Sequence, residues 1–245
     1  MDALDSPDRI AELRTKIDAK AALRRFYTDI YARYTACLAK CPKEGLAVEL
    51  GSGGGFAQQI IPELVTTDVL PYDGVDRVVD ATQMVFANHS VRFFGMLNVF
   101  HHIPDAAAFL REAGRCLAPG GRVLIIDQHP GWISKPMLRY LHHEAFRPDA
   151  KDWRFQSTGP LSGANGAMAW IVFVRDRPRF TREFSELQLL QYRPFAPLVY
   201  WLSGGLRSWS LLPSAAYGIV NAIDHALLRM STHFGSFVEI EIIRR

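Results

Sequence analysis

The chain has 245 residues, of which 49% are hydrophobic and 22% are charged. This length suits one α/β domain with an elaboration, and the apolar content supplies a substantial core, which excludes an intrinsically disordered chain. The formal net charge is only +3 and the basic residues are dispersed, so the composition does not indicate a nucleic-acid partner. Three cysteines lack metal-ligand spacing and would leave one thiol unpaired in any disulfide scheme, which indicates a reducing compartment.

The first 44 residues are predicted to form a cap of one or two amphipathic helices. Apolar residues recur at helical spacing, at Ile10, Leu13, Ile17, Ala21, Tyr27, Ile30 and Tyr34. Aromatic residues cluster in the second part of this segment, at Phe26, Tyr27, Tyr31 and Tyr34. These aromatic side chains either line a ligand cleft or pack into the core, and the pattern alone does not decide between the two.

Strands and helices alternate after this cap. The predicted strands are 46–50, 64–68, 76–80, 91–97 and 121–127, and the predicted helices are 55–61 and 105–117. Such alternation is typical of a doubly wound, Rossmann-like α/β fold with a mostly parallel sheet. Ligands of these sheets bind beyond the carboxyl ends of the strands, so residues at those ends are the candidates for function.

A glycine-rich loop follows the first predicted strand, where Val48–Phe56 reads VELGSGGGF. Glu49, Gly51 and Gly53 begin an acidic-x-G-x-G-x-G pattern, which lets the backbone turn sharply and lie against a nucleoside cofactor. Phe56 stands where the dinucleotide fingerprint G-x-G-x-x-G requires its third glycine, so the spacing disfavours a nicotinamide cofactor. The alternative is a tight turn between strand and helix without a ligand.

Two acidic residues lie at the ends of the next predicted strands. Asp68 comes 17 residues after Gly51, and a carboxylate there can accept hydrogen bonds from both hydroxyls of a ribose. Asp80 is followed by the small Ala81 and is a candidate acceptor for an adenine amino group. The alternative for each acid is that it caps a loop or faces water, because Asp favours turns.

Five segments together resemble one family. They are VELGSGGG, the TTD that ends at Asp68, the Asp80–Ala81 pair, LNVFHHIPD from Leu97 to Asp105, and FLREAGRCLAPGGRVLIID from Phe109 to Asp127. These residues resemble the class I methyltransferases that use S-adenosylmethionine, in particular the type 11 branch, which contains the ubiquinone and menaquinone C-methyltransferases. The resemblance covers about residues 45–128. Arg92 departs from the pattern, since relatives usually have an Asp near the start of this strand.

The resemblance implies a seven-stranded, mostly parallel sheet and S-adenosylmethionine as the cofactor. Carried over by position, the implied cofactor contacts are Glu49, Gly51, Gly53, Asp68, Asp80, Ala81, Leu97 and Asn98. The predicted organisation is a helical cap over residues 1–44, a cofactor-binding core over 45–128 and the remaining core strands over 129–245, all within one domain. A catalytic base is optional, because S-adenosylmethionine carries its own leaving group and the enzyme mainly has to align the reactants.

The region Phe195–Met230 is unusually apolar and is predicted to form a helical insertion before the last strand. Only three of its 36 residues are formally charged. Three alternatives remain open, namely packing of a helical subdomain, a hydrophobic substrate pocket, and docking onto a membrane surface or a partner. Phe237–Ile243 is predicted to be the last, antiparallel strand, whereas Met168–Val174 is compatible with either a strand or a helix.

No catalytic residue can be assigned from the sequence, but three histidines are candidates for a general base. They are His102, His129 and His143. We predict no metal site, because no local spacing of Cys, His or Glu places three ligands on one face.

These observations predict a methyltransferase that acts on a small-molecule or amphiphilic acceptor, with lipid- or glycan-linked acceptors as an option and O-methylation favoured. One alternative is a catalytically silent S-adenosylmethionine-binding protein that serves in binding or assembly. A nicotinamide oxidoreductase is a second alternative that Phe56 disfavours. The N-terminus lacks the apolar core of a signal peptide, so we expect a cytoplasmic protein, with peripheral membrane contact as an option and the oligomeric state undetermined.

Overall fold

The computed structural model describes residues 7–141, 144–157, 159 and 163–245. The strands are β1 (Leu46–Leu50), β2 (Leu64–Asp68), β3 (Arg77–Val78), β4 (Val91–Leu97), β5 (Leu117–Gln128), β6 (Leu187–Phe195) and β7 (Phe237–Arg244). The α-helices are α1 (Pro7–Ala19), α2 (Ala21–Leu38), α3 (Ala57–Ile60), α4 (Ala106–Cys116), α5 (Ser134–Tyr140), α6 (Met168–Trp170), α7 (Arg177–Glu183), α8 (Val199–Leu202) and α9 (Tyr217–Met230).

The strands form one seven-stranded sheet in the order β3-β2-β1-β4-β5-β7-β6. All neighbours from β3 to β5 are parallel, whereas β7 runs antiparallel to both β5 and β6. From β1 the chain continues to β2 and β3 on one side, and it then crosses to the other side of β1 to form β4 and β5. This change of side marks the switch point, where ligands of such sheets bind. This architecture confirms the predicted Rossmann-like fold class.

Buried apolar side chains cover both faces of the sheet. Phe93 and Phe94 are adjacent on β4 and belong to different core clusters, as the alternation of side chains along a strand requires. The cluster around Phe94 packs under α4, α6 and α7, and the cluster around Phe93 packs under α2 and the residues after β6. The sheet is therefore the middle of three layers, which accounts for its apolar strands.

The N-terminal cap consists of α1 and α2, as predicted. The aromatic residues of α2 are all buried. Two of them line a cavity, and the other two pack into the core. Tyr27 and Tyr31 line the main cavity, whereas Phe26 and Tyr34 pack into the core against Phe237 and Phe93, respectively.

The strand β6 was not predicted from the sequence. It is the edge strand, and between its buried first and last residues the side chains are exposed or half-buried. It also contains Pro194, which is tolerated only at an edge or a bulge. Residues 168–174, which the sequence left open, are helical: α6 continues into a π-helical turn over Ile171–Arg175. Burial of Ile171, Val172 and Phe173 in the core outweighs the β propensity of these residues.

Two predicted strands differ in extent. The third strand covers only Arg77–Val78, both exposed at the edge of the sheet, so Asp80 lies in the turn that follows it. The fifth strand begins at Leu117, and its pairing with β4 shifts between Leu117 and Arg122, where Gly120 has a φ of +78°. Residues 119–121, which lead into the predicted strand 121–127, thus form a bulge inside β5.

The residues between β6 and β7 form the predicted apolar insertion, which contains α8, α9 and a 3-10 turn over Ser214–Ala216. Among the described residues, no helix combines the length and the apolar character needed to cross a bilayer. Arg92, the departure from the family pattern, lies at the start of β4, where it pairs with Glu63 at 2.6 Å. That end of the strand is remote from the carboxyl edge of the sheet, so the departure is accommodated locally.

Candidate active site

A cavity of about 1010 Å³ opens at the carboxyl ends of β1, β2, β4 and β5. Its floor is the glycine loop after β1, and its walls come from α1, the turn after β3 and the turn after β4. Residues of the insertion, from Tyr200 to Leu211, close it on the far side. This volume is at the upper limit of about 300–1,000 Å³ for small-molecule sites, so the cavity has room for more than one ligand.

Gly51 and Gly53 serve different purposes in the glycine-rich loop. Gly51 has a φ of +67°, and a Cβ there would lie 2.5 Å from Cγ2 of Val99, so packing and backbone conformation both require glycine. Gly53 has a φ of +45°, but a Cβ there would meet no atom closer than Cδ1 of Ile10 at 3.7 Å. The space in front of Gly53 is therefore open to the cavity, as a loop that lies against a ligand requires.

Asp68 connects the glycine loop to β2. Its Oδ2 accepts a hydrogen bond from the backbone N–H of Gly53 at 3.1 Å, and its Oδ1 accepts one from the N–H of Val69 at 2.8 Å. Burial raises the pKa of Asp68, and these backbone donors partly offset the effect. An ionised carboxylate offers about four acceptor positions, so Asp68 retains capacity for the hydroxyls of a ligand.

Two of the predicted cofactor residues each carry a buried polar atom that has no hydrogen-bond partner among the described residues. They are Oε2 of Glu49 and Oδ1 of Asn98. Burial raises the pKa of Glu49 to about 8, and the nearby Asp68 adds to the shift. Buried polar groups are rarely left unpaired, so both atoms fit a ligand that brings hydrogen-bond donors. S-adenosylmethionine brings an ammonium group and two ribose hydroxyls, and this part of the cavity therefore suits it.

Asp80 and Ala81 lie in the turn after β3 and also line the cavity. Oδ1 of Asp80 accepts hydrogen bonds from the backbone N–H and the hydroxyl of Thr82, both at 2.7 Å. The carboxylate thus caps its own turn, as the alternative interpretation proposed, while its second oxygen remains open to a ligand. Leu97 lies at the end of β4 and forms part of the same wall.

The structure brings all eight predicted cofactor residues to this one cavity. They are Glu49, Gly51, Gly53, Asp68, Asp80, Ala81, Leu97 and Asn98. Their individual contacts with a cofactor remain predictions. Phe56, which stands at the position of the third glycine in the dinucleotide fingerprint, is buried. Its backbone N–H donates a hydrogen bond to the hydroxyl of Tyr31 at 3.3 Å. Phe56 therefore anchors the loop to α2 on the side away from the cavity.

The apolar insertion contains buried, cavity-lining and exposed side chains. Val199 and Tyr217 are buried and pack on the sheet side. Trp201 and Leu206 line the cavity. Ile219, on α9, is 67% exposed.

A polar cluster lies beside the cofactor residues, where the turn after β4 meets residue 144. Nε2 of His101 is 3.2 Å from Oε2 of Glu144, and Nε2 of His102 is 3.4 Å from Oε1 of the same carboxylate. On the opposite side of each ring, Nδ1 of His101 lies 2.6 Å from Oδ1 of Asp127, and Nδ1 of His102 lies 3.1 Å from the carbonyl oxygen of Gly163. His101, His102 and Glu144 all line the cavity.

The charges in this cluster shift its pKa values strongly. Burial alone would lower the pKa of His101, but the attraction of Asp127 and Glu144 outweighs it and raises the pKa to about 10. Burial would raise the pKa of Glu144, but the two histidines hold it well below its usual range. The sequence indicated His102 only, because the chain gives no sign that Glu144 lies beside it. Groups with such perturbed pKa values in a cavity are candidates for function.

The other two histidine candidates differ from His102. Nδ1 of His129 lies 2.9 Å from the hydroxyl of Tyr192, and His129 is not among the residues that line the cavity. Burial, with a contribution from His233, lowers its pKa to about 4. His129 is therefore neutral at physiological pH, but a substrate in the cavity does not reach it. His143 lies outside the described residues.

A family model described as a methyltransferase domain matches residues 20–159. No curated protein matches the chain. Among solved structures, the geranyl diphosphate C-methyltransferase from Streptomyces coelicolor A3(2), in complex with Mg²⁺, geranyl-S-thiolodiphosphate and S-adenosyl-L-homocysteine, is 16% identical, with a TM-score of 0.50 over 91% of this chain and 77% of that chain. An S-adenosylmethionine-dependent methyltransferase from Mesorhizobium loti is 16% identical, with a TM-score of 0.47 over 87% of this chain and 98% of that chain.

A methyltransferase from Haloferax volcanii, solved with its Trm112 activator, is 16% identical, with a TM-score of 0.48 over 95% of this chain and 98% of that chain. The sheet order and the glycine loop define the class I methyltransferases that use S-adenosylmethionine. The family match covers more than half of the chain, and the chain belongs to the methyltransferase-domain family.

Proposed function

We propose that this methyltransferase transfers a methyl group from S-adenosylmethionine to a hydroxyl group of an amphiphilic small molecule. One observation carries the proposal. The same cavity is lined by the glycine loop and the strand-end acids, by the apolar insertion, and by the His102–Glu144 pair.

The cofactor end follows from the residues already described. Asp68 accepts the ribose hydroxyls, Asp80 accepts the adenine amino group, and Glu49 with Asn98 receives donors from the amino acid part. When bound, S-adenosylmethionine supplies an electrophilic methyl group. Gly53 lets the backbone approach the cofactor, and α1 covers it through Ile10.

The acceptor end is mainly apolar. Trp201 and Leu206 from the insertion face Met137, Leu138 and Leu141 from the segment of α5 across the same cavity. Such a surface binds the hydrocarbon part of a substrate through the hydrophobic effect, worth roughly 25 cal/mol per Å² of buried apolar area. Binding energy from this remote part of the substrate would orient the reacting atom.

The polar cluster gives the acceptor its orientation. A hydroxyl group that enters an apolar cavity needs a hydrogen-bond partner, and His102 and Glu144 are partners of this kind at the cavity wall. During O-methylation the hydroxyl oxygen bonds to the methyl carbon and the hydroxyl proton leaves. The methyl carbon's former bonding pair stays with the sulfur. We place the loss of the proton at this cluster.

We also propose that the rim of the cavity contacts a membrane surface peripherally. Large apolar side chains at the rim are exposed, with Leu141 at 62%, Trp209 at 45% and Leu211 at 71%. All three line the cavity, so an amphiphile could pass from a bilayer into it. Sedimentation with phosphatidylcholine and phosphatidylglycerol liposomes tests this contact. Protein that stays in the supernatant at low salt would rule it out.

The proposed activity is tested with methyl-labelled S-adenosylmethionine and a panel of acceptors matched in polar group but differing in chain length. We expect labelled methyl ethers, with the ratio kcat/KM rising with chain length. If S-adenosylhomocysteine binds and no acceptor is methylated, the alternative of a catalytically silent binding protein is favoured. Labelled products that carry the methyl group on carbon or nitrogen would overturn O-methylation and leave the enzyme class intact.

A further inference from the structure

The donor atoms of His101, His102 and Glu144 converge on one point of the cavity wall. One ligand atom from each of the three residues lies within 4.8 Å of the other two. The two measured separations between a histidine nitrogen and a carboxylate oxygen are 3.2 and 3.4 Å. Ligand bonds of about 2.1 Å place neighbouring donors about 3.0–3.4 Å apart in octahedral or tetrahedral geometry. These two separations, which run to different oxygens of the Glu144 carboxylate, are of the size that neighbouring donors in a coordination sphere require.

The second nitrogen of each ring fixes the orientation that a metal ion needs. Nδ1 of His101 faces Oδ1 of Asp127, and Nδ1 of His102 faces the carbonyl oxygen of Gly163. Both partners are acceptors, so each Nδ1 carries a proton in the neutral ring, and the lone pair is left on Nε2. A histidine ligand usually donates its other N–H to a carboxylate or a backbone carbonyl. This cluster has one partner of each kind.

The charge of the cluster points in the same direction. Asp127 and Glu144 are two carboxylates in a site where Asp127 is fully buried and His101 is 1% exposed. Two carboxylates in so buried a site need compensating positive charge. A divalent cation compensates them fully, whereas one protonated histidine compensates half. Gln128 donates a hydrogen bond to Oε2 of Glu144 at 3.1 Å and holds this carboxylate toward the histidines.

We propose that His101, His102 and Glu144 bind one divalent transition-metal ion, with Asp127 as the partner that orients His101. Two imidazoles and one carboxylate suit ions such as Zn²⁺, Mn²⁺, Fe²⁺ or Co²⁺ and leave coordination positions open toward the cavity. The role of the ion rests on the proposed function. A bound ion would supply a Lewis acid that holds the acceptor oxygen and lowers the pKa of the acceptor hydroxyl, whose proton would pass to water. In this arrangement His102 acts as a ligand rather than as a base.

The sequence analysis predicts no metal site, because local spacing shows no set of three ligands. His101 and His102 follow β4, whereas Glu144 follows α5, and only the fold brings them together. Adjacent histidines in a strand point apart, but here they lie in a 3-10 turn over Phe100–His102, and their ring centroids are 4.2 Å apart. The turn is thus what makes both rings available to one ion.

The test is a titration of the full-length protein, stripped with a chelator, with Co²⁺ alone and with Zn²⁺ alone. Calorimetry measures the stoichiometry, and the visible absorption of bound Co²⁺ reports its coordination. We expect one ion per chain and a Co²⁺ spectrum of a site with mixed nitrogen and oxygen ligands. Glu144→Gln and His102→Gln should each weaken binding tenfold or more, because each removes a ligand. The exposed His225→Gln serves as the control and should bind as the wild type does.

The proposal would be overturned if the wild-type protein binds neither Co²⁺ nor Zn²⁺. It would also be overturned if Glu144→Gln, His102→Gln and His225→Gln bind these ions with equal affinity. Folding of each variant is checked by circular dichroism and by binding of S-adenosylhomocysteine. Because His102 is only partly buried, its variant keeps the test valid if Glu144→Gln fails to fold. The titration needs no acceptor, so failure of the metal site and failure of the proposed activity are distinguishable. If the protein binds Co²⁺ as expected but methylates no acceptor, the metal site is supported and the proposed methyl transfer is refuted.

Discussion

The backbone N–H of Gly53 donates a hydrogen bond to Oδ2 of Asp68 at 3.1 Å, which joins the glycine loop to the end of the neighbouring strand. The carboxylate therefore has two roles, since it holds the loop in place and also faces the cavity. Because hydrogen bonds to a charged group contribute about 1.5–3 kcal/mol, the loop is held in its ligand-binding conformation before the cofactor arrives. Preorganisation of this kind reduces the entropy lost on binding.

Gly53→Val should leave the protein folded and abolish binding of S-adenosylhomocysteine. The new side chain would project into open cavity space, and the φ of +45° would add strain on the order of 1–2 kcal/mol. Calorimetry measures the affinity. Gly218→Ala is the control, because a Cβ there meets no atom within 4 Å and should change neither folding nor binding. Retained micromolar affinity in Gly53→Val would show that the loop is only a structural turn.

Glu49→Gln should reduce the pH dependence of stability in the unliganded protein. Burial raises the pKa of Glu49 from 4.5 to about 8 in the folded state, so its contribution to stability is fully present below pH 4.5 and is lost as the pH rises through 8. We expect the free energy of unfolding of the wild type to fall more steeply over this window, by an amount on the order of a few kcal/mol. Melting curves of both proteins measure the difference.

The other titrating groups are the same in both proteins, so the difference between their two slopes of stability against pH comes from Glu49. S-adenosylhomocysteine should flatten the slope of the wild type, because its ammonium group favours the charged carboxylate. Equal slopes without ligand would contradict the assignment of the shifted pKa to Glu49.

Lys20→Met should speed the dissociation of S-adenosylhomocysteine several-fold. The ammonium group of Lys20, between α1 and α2, donates to main-chain carbonyls of the insertion, including Ser203 at 3.3 Å, Gly205, and Arg207 at 2.9 Å. These bonds tie the two segments that cover the cavity, and their loss should let them separate more often. Stopped-flow measurement gives the rate, and Lys43→Met, at an exposed site outside the cavity, is the control. An unchanged dissociation rate would show that the contact does not retain the cofactor.

Trp201→Ala should raise the KM for an amphiphilic acceptor about tenfold and leave the affinity for S-adenosylhomocysteine unchanged. Trp201 is partly exposed to the cavity, and its indole N–H donates to Oγ of Ser236 at 2.8 Å. Trp132→Ala is the control, since Trp132 is 60% exposed and does not line the cavity. A purely structural tryptophan would instead cost about 3–5 kcal/mol of stability and reduce cofactor and acceptor binding together.

The cofactor half of the site could be predicted because its signals are local. The acidic residue and the glycines stand within one short segment, and Asp68 and Asp80 end the β-prone runs that follow it. Parallel strands place such ends at one edge of a sheet, so chain order alone predicts their proximity. The acceptor half could not be predicted in this way, because Glu144 meets His101 and His102 only through the tertiary fold.

The elements that escaped prediction have physical reasons of the same kind. The edge strand β6 has exposed or half-buried side chains between its first and last residues and carries Pro194, so its pattern lacks the continuous apolar run of the buried strands. Residues 168–174 have strand-forming side chains but form a helix, because burial against Phe100 and Phe180 decides their conformation. In both cases tertiary packing determines what local propensity leaves open.

The most direct test of the account is calorimetric titration of wild-type protein and Asp68→Ala with S-adenosylhomocysteine. We predict one site per chain in the wild type and a loss of about 3 kcal/mol or more of binding free energy in the variant, because two charge-assisted hydrogen bonds to the ribose are removed. Asp73→Ala, at an exposed position of the following loop, should bind as the wild type does. Equal affinity in the wild type and Asp68→Ala, or no binding by folded wild-type protein, would contradict the account.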